Sequence, residues 1–516
     1  MTQSKQTTTS NSGYGGFSFG SIIEPITGKE WRPEELTARA ARRVGQLSSL
    51  GVTRGARVLI HYGNCGEFFA DLLAVWGLGA CAIPVDPRLT EFEIERLAEL
   101  TKPVLSIWQS GAPANVEARL RAVGTATIDT CVTDTASCDG LGWYYDDPAL
   151  ILFTSGTTGD PKGVVHTHRS LHAQWRALTA ALAGIRFRRT LCLLPTHFGH
   201  GLICNCLFPW LSGNTLYILP PFRPDAVSRL GQLLDEHAIS FMSSVPTIWR
   251  LALKLSRAPN RGSLDRVFCG SAPLSAHLWR EVQRWTGARL SNTYGITETA
   301  SWLAGSAGGE STPKDGLVGK PWGGVIRVLD SGDTQRPIDE FARAGPGEEG
   351  HVWVRTPALM QGYYQRDDLT RKVVRDGWFC TGDIGVVDEH GALSLRGRER
   401  EEINKGGMKI HPADVDSVIE QFEGVTDVCT FAREDEFLGE DVGVALVIER
   451  DHTCLRHDLF NWTRERLASH KVPTRWYVLE EIPRTSRGKV NRQEVARHCW
   501  TLEPVSFPGG GLHRET

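Results

Sequence analysis

From about Trp31 to Asp147 the chain alternates between helical and strand-like patterns, and this alternation limits the fold more than any other feature of the sequence. The stretch RPEELTARAARRVGQLSSL, Arg32 to Leu50, is helical in pattern, whereas RVLIHY and CAIPV are short apolar runs that read as strands. Such alternation predicts parallel α/β units. It continues further on: Leu191–Leu194, Thr215–Leu219 and Arg266–Cys269 read as strands, and Ala226–His237 and Ala276–Gly287 as helices. Between Gly345 and Leu395 the pattern changes to short alternating segments with Gly and Asp-Gly turns, such as GHVWVRT and GALSLRGR, which predicts an antiparallel subregion. After Arg398 a charged run, REREEINKGG, precedes a compact helix, strand, strand, helix pattern that ends near Trp500. Clustered charge beside paired glycines marks an exposed hinge, so the main boundary is placed there. The expected organisation is a disordered leader over 1–30, a large α/β domain over 31–398, a mobile α+β domain over 399–500 and a loose tail over 501–516.

A chain of 516 residues is too long for one ordinary core, which agrees with several subdomains. Its 57 basic and 60 acidic residues nearly cancel, so no electrostatic footprint for nucleic acid or an anionic membrane is visible. Any polyanion must be held locally. The polar, Gly-rich first residues carry no apolar signal region, and no uncharged stretch is long enough to cross a bilayer, which gives a cytoplasmic expectation. Twelve cysteines without a CxxC pair read as reduced, mostly buried thiols.

The richest motif supplies that local hold. Ile151-Leu152-Phe153 runs into Thr154-Ser155-Gly156-Thr157-Thr158-Gly159-Asp160-Pro161-Lys162-Gly163. Glycines let backbone N–H groups approach anionic oxygens, hydroxyls add donors, and Lys162 adds a compact positive charge. That set suits a nucleotide polyphosphate. The Gly-x-x-x-x-Gly-Lys-Ser/Thr loop of the common NTPases is absent, because Pro161 precedes the lysine and Gly163 follows it.

This loop resembles the phosphate-binding signature of the adenylate-forming, AMP-binding superfamily, and further motifs keep the family's order from about Trp31 to Arg497. Asn292-Thr293-Tyr294-Gly295-Ile296-Thr297-Glu298 is similar to the segment whose tyrosine stacks on adenine and whose glutamate holds Mg2+, a hard ion suited to carboxylate and phosphate oxygens. Asp383, in Gly377 to Asp383, resembles the aspartate that accepts both ribose hydroxyls, and Arg398 the arginine that reaches the nucleotide. Ser271-Ala272-Pro273 fits the turn beside the adenine and acyl pocket. Pro483 to Val490 matches the C-terminal signature, with Lys489 as the catalytic lysine that stabilises charge shared by the attacking carboxylate and the α-phosphate.

The resemblance implies two α/β sheets and a small β-barrel in the large domain, with a hinge at Arg400, where the family usually has Lys or Asp. It implies that an acid and ATP form an acyl-AMP and pyrophosphate, and that the acyl group then passes to a thiol, with Gly406 and Gly407 lining a pantetheine channel. CoA is the expected acceptor. A carrier-protein arm acting in trans and an amine are the alternatives, and a non-catalytic nucleotide-binding module is the reading from another class. The expected assembly is a monomer or homodimer.

The acyl pocket is assigned to His197, Phe198, His200, Ser244 and Gly295. Phe198 stands where many acyl-CoA ligases have histidine, and no aspartate lies between Pro195 and Trp210 to pair with an amino group, which disfavours α-amino acids. His197, His200, Cys204 and Cys206 crowd together, but a pocket loop followed by a buried helix with small thiols is preferred over a zinc site.

Overall fold

The computed structural model describes residues 6–7, 17–130, 142–154, 162–220, 224–260, 262–271, 274, 276–306, 312–314, 316–330, 337–398, 403–410, 412–419, 421–448, 455–483 and 492–505. Contacts divide the chain into two compact units. The larger comprises Met1–Pro87, Thr101–Leu152 and Gly163–Glu399; the smaller comprises Arg88–Leu100, Phe153–Lys162 and Arg400–Thr516.

The predicted α/β alternation becomes a seven-stranded sheet in the order Gly362–Tyr363, Lys162–Thr167, Pro148–Thr154, Cys81–Pro84, Arg57–Ile60, Leu105–Trp108, Ala126–Asp129. From Pro148–Thr154 onward every pairing is parallel. Leu150, Ile151 and Leu152 are all buried, as consecutive residues of a sheet covered on both faces must be. Burying each such side chain contributes about 1.5–3 kcal/mol before entropy is counted. The helix Pro33–Ser49 turns Leu36, Ala40, Val44 and Leu47 inward at helical spacing. At its start Arg32 N donates to Glu35 Oε2 at 2.9 Å, so the glutamate caps the first turn.

A second, fourteen-stranded sheet is parallel through Ile22–Glu24, Thr215–Ile218, Arg189–Cys192, Phe241–Ser244, Arg266–Gly270 and Arg289–Ile296. Arg289–Ile296 then pairs antiparallel with Ser301–Gly305, and the path continues through Leu317–Pro321, Leu393–Arg398, Trp378–Val387, Glu349–Arg355 and Val325–Leu329. The antiparallel subregion is thus hydrogen-bonded onto the second α/β sheet, while Val328, Val352, Val354 and Phe379 give it an apolar core of its own. The helix expected over Ala226–His237 is two, Pro224–Ser228 and Leu230–Glu236. The chain is pressed against a turn there: Gly231 N donates to Ser256 Oγ, and a Cβ at Gly231 would lie 1.9 Å from the Arg257 carbonyl oxygen.

In the smaller unit the antiparallel strands Val425–Asp435 and Gly439–Ile448 form the centre, with Arg475–Val478 parallel to the second of them. Helices Pro412–Ile419, Leu455–Arg466 and Arg492–Cys499 accompany them, and Ile403, Val415, Val444, Leu459 and Trp476 share one core. Among the described residues no helix is long and apolar enough to cross a membrane. The nine described cysteines are all buried thiols.

Candidate active site

The Asn292–Glu298 motif begins on the strand Arg289–Ile296 and ends in a short 3-10 turn, Thr297–Thr299. Gly295 allows this path. A Cβ there would fall 1.7 Å from the Ser301 carbonyl oxygen, so the two antiparallel backbones meet at a register shift only because a side chain is missing. Asn292 Nδ2 donates to Leu317 O at 2.7 Å and Thr293 Oγ1 to Cys269 O at 3.2 Å, which ties the motif to the neighbouring strand Arg266–Gly270 and to Leu317–Pro321, one strand beyond its other neighbour.

Tyr294 and Asp383 lie far apart in the sequence, yet the tyrosine hydroxyl donates directly to Asp383 Oδ2, and both residues are buried. The backbone of Arg398 pairs opposite Asp383 in the next antiparallel strand. Three residues of three separate motifs, all expected to meet one nucleoside, are therefore gathered by the sheet.

Glu298 is half-buried, and Tyr363 donates its hydroxyl to Glu298 Oε1 at 2.7 Å. The Glu298 backbone is fixed separately, since its carbonyl accepts Met360 N at 2.7 Å. The donor set fits a hard divalent ion: a carboxylate oriented through one oxygen, in a partly accessible position. His166, from the strand Lys162–Thr167, holds the same turn through Nε2 and the Thr297 carbonyl, 2.7 Å apart. A carbonyl oxygen only accepts, so Nε2 carries the proton. Burial lowers the His166 pKa to about 4, which keeps the ring neutral.

Of the phosphate-loop residues, Thr154 and Lys162 are described; Thr154 Oγ1 stands 3.5 Å from Lys162 O, at the limit of a hydrogen bond. Ser155, Gly156, Thr157, Thr158 and Gly159 lie outside the described residues, as do Ala272, Pro273, Arg400 and Lys489. Ser271 is described and adopts the left-handed region at φ 66°, uncommon for a residue with a side chain and costly unless its surroundings enforce it.

His200 opens a π-helix, His200–Leu207, a rare geometry found often at functional sites. Its Nε2 is 2.7 Å from Ser243 Oγ and its Nδ1 is 2.9 Å from Ser271 Oγ. Burial lowers its pKa to about 3, so one nitrogen donates and the other accepts. Strand alternation turns Ser243, and not the expected Ser244, toward this ring; the Ser244 hydroxyl is buried on the opposite face. The Phe198 ring lies 6.1 Å from that of His200, and Trp302 closes edge-on at 5.6 Å. Cys204 Sγ accepts Trp302 N at 3.4 Å, a packing role for that thiol. His197 is drawn away to Asp86, with Nε2 3.3 Å from Oδ2.

In the smaller unit Gly406 and Gly407 have φ of 60° and 86° and join the strands Ile403–Lys405 and Met408–Ile410. Consecutive positive φ values are what a two-residue hairpin turn needs, so both glycines have a local reason to be glycine.

His166, Tyr363, Asp86 and His61 are absent from the sequence-derived site. Each has a distant partner, 131 residues away for His166 and 65 for Tyr363, and no spacing rule links them.

Comparison with known proteins adds to this geometry. The model of the AMP-binding enzyme family matches residues 28–364, and that of the AMP-binding enzyme C-terminal domain matches residues 414–489. A feruloyl-CoA synthase of Amycolatopsis is 31% identical over 90% of this chain and 93% of its own length. A malonate–CoA ligase of Arabidopsis thaliana is 29% identical over 89% of this chain and 81% of its own. Among solved structures, the o-succinylbenzoate CoA synthetase of Bacillus subtilis matches with a TM-score of 0.83 at 25% identity, covering 94% of this chain and 96% of that one.

Proposed function

The chain belongs to the AMP-binding enzyme family, and from that membership we propose that it is an AMP-forming acid–thiol ligase that activates a carboxylic acid with ATP and delivers the acyl group to CoA. The observation that carries this reading is the Tyr294–Asp383 contact, which joins two motifs 89 residues apart. Tyr294 offers a ring for the base, and Asp383, an acceptor through its carboxylate, suits the ribose hydroxyls. Asn292, Thr293, Gly295, Thr297, Ser271 and Arg398 are assigned to the nucleotide with them.

In the first half-reaction the substrate carboxylate attacks the α-phosphate, and pyrophosphate leaves. Thr154, Lys162 and the loop between them are assigned to the polyphosphate, and Lys489 to the charge shared by carboxylate and phosphate. Glu298, with Tyr363 behind it, is the residue that would hold Mg2+, and such an ion would neutralise phosphate charge. In the second half-reaction the smaller domain, pivoting near Arg400, exchanges Lys489 for the segment with Gly406 and Gly407 and admits the thiol. Phe198 and His200 are assigned to the acid, and His197 is paired with Asp86. The relatives' names span a small diacid and a hydroxylated aromatic acid, so the acid is set by this chain's own pocket.

A panel of aliphatic, dicarboxylic and aryl acids, assayed for AMP and pyrophosphate with CoA, with an amine, or with neither, tests the reading. Acid-dependent AMP and pyrophosphate with an acyl-CoA product is expected. ADP and phosphate as products would refute it, and amide formation without thioester would replace CoA by an amine.

A further inference from the structure

Three ionisable side chains with no part in the adenosine subsite meet beyond the carboxyl ends of parallel strands. His61 directly follows Arg57–Ile60, Asp86 lies two residues after Cys81–Pro84, and His197 stands in the turn after Arg189–Cys192. Ligands of open parallel sheets bind outside these ends. Arg57–Ile60 and Cys81–Pro84 pair directly, with Ile60 opposite Pro84, so His61 and Asp86 leave the sheet side by side. His197 Nε2 then reaches Asp86 Oδ2 at 3.3 Å.

The loop that presents His197 is held firmly. Thr196 N donates to Asn64 Oδ1 at 3.0 Å, and Asn64 Nδ2 donates to the carbonyls of Leu194 and Leu219 at 2.9 and 3.0 Å. A Cβ at Gly63 would fall 1.9 Å from Thr196 Oγ1, so the two loops touch only because residue 63 is glycine.

Asp86 pairs with His197 and acts on His61 only through its charge, and the two imidazoles differ in access. His61 is 6% exposed and lies almost flat on Trp108, with ring centroids 3.8 Å apart. Burial lowers its pKa to about 4, so it stays neutral and does not compete for the charge of Asp86. The His197 side chain keeps 20% exposure, and with Nε2 toward Asp86 its Nδ1 is turned away from the carboxylate. A carboxylate on one ring nitrogen and an outward lone pair on the other is the arrangement that makes histidine a general base.

We propose that His197, oriented by Asp86, takes the proton of the acceptor thiol in the second half-reaction. This inference rests on the proposed ligase activity. The sulfur attacks the carbonyl carbon of the acyl-AMP, the C–S bond forms, and the C–O bond to the phosphate breaks, with AMP leaving on that electron pair. The thiol proton goes to Nδ1 of His197 and from there to solvent, while Nε2–H stays on Asp86, which acts as a positioning residue.

The test separates the half-reactions in the full-length enzyme, using ATP–pyrophosphate exchange for the first and single-turnover transfer from enzyme-bound acyl-AMP to CoA for the second. For His197→Ala we expect transfer to fall ~100-fold or more, within the range of general-base catalysis, and exchange to fall less than tenfold. Free imidazole should restore part of the transfer in His197→Ala and none in Asp86→Asn, which keeps the ring but loses its orientation. His197→Gln, which keeps a polar planar side chain, should reproduce the transfer loss. Equal losses in both half-reactions, or transfer at the wild-type rate, would overturn the inference. Absence of exchange in the wild type with every acid would remove the ligase reading itself, and this inference with it.

Discussion

Tyr363→Phe isolates one oxygen atom at the centre of the proposed metal site. The hydroxyl lies 2.7 Å from Glu298 Oε1, a hydrogen bond to a carboxylate, for which the usual contribution is about 1.5–3 kcal/mol. Glu298 is only half-buried, and water can replace part of the lost bond, so the lower end of that range applies. About 1.5 kcal/mol corresponds to roughly a tenfold change. The Glu298 backbone keeps its bond to Met360 N, so the loss falls on carboxylate orientation and not on the fold. The expected result is a fall of about tenfold in kcat/KM for Mg-ATP, inside the range seen when outer-shell partners of metal ligands are removed, with little change in melting temperature. A double-mutant cycle with Glu298→Gln sharpens the assay: if the tyrosine acts through the glutamate, its removal should add almost nothing in the Gln background. Additive losses, or a single variant within twofold of wild type, would refute the reasoning.

Two further perturbations follow from the same geometry. Gly295→Ala places a methyl group 1.7 Å from a backbone oxygen that cannot rotate away, so thermal or denaturant unfolding should show a loss of at least the ~1–3 kcal/mol typical of overpacking; an unchanged midpoint would contradict the close approach. The neutral buried histidines set a pH dependence: burial lowers the pKa of His61 and His166 to about 4 and of His168 and His200 to about 3. The unfolded chain takes up these protons near pH 6.5 while the folded chain does not, so this contribution is fully present above that pH and is lost as pH falls toward 4. Each group contributes up to about 1.4 kcal/mol per pH unit in that window, and urea midpoints should drop steeply from pH 7 to pH 5. A flat profile would contradict the burial of these rings in the neutral form.

What the sequence discloses and what it hides divide along a physical line. The run Leu150 to Leu152 and the helix Pro33–Ser49 were readable because burial acts at fixed local periods. Tyr294 and Asp383 were readable because each sits in a dense local motif, although only the sheet shows that they touch. His166 and Tyr363 left no local mark: one is a histidine within a buried strand, the other a tyrosine in a two-residue strand, and both act on partners supplied by tertiary contact. Ser243 and Ser244 look alike in the sequence until the register fixes which one faces His200. The break at Arg229 likewise depends on the turn at Ser256 and Arg257, which no helical period encodes.

The account stands or falls on the activation of a carboxylate by ATP, and exchange of labelled pyrophosphate into ATP measures that step alone. The wild-type enzyme should catalyse exchange only when its acid is present and in the absence of any thiol, and Lys489→Ala should lose at least ~100-fold if that ammonium stabilises the transition state. Exchange that proceeds at the wild-type rate in Lys489→Ala, or release of ADP in place of AMP, would contradict it.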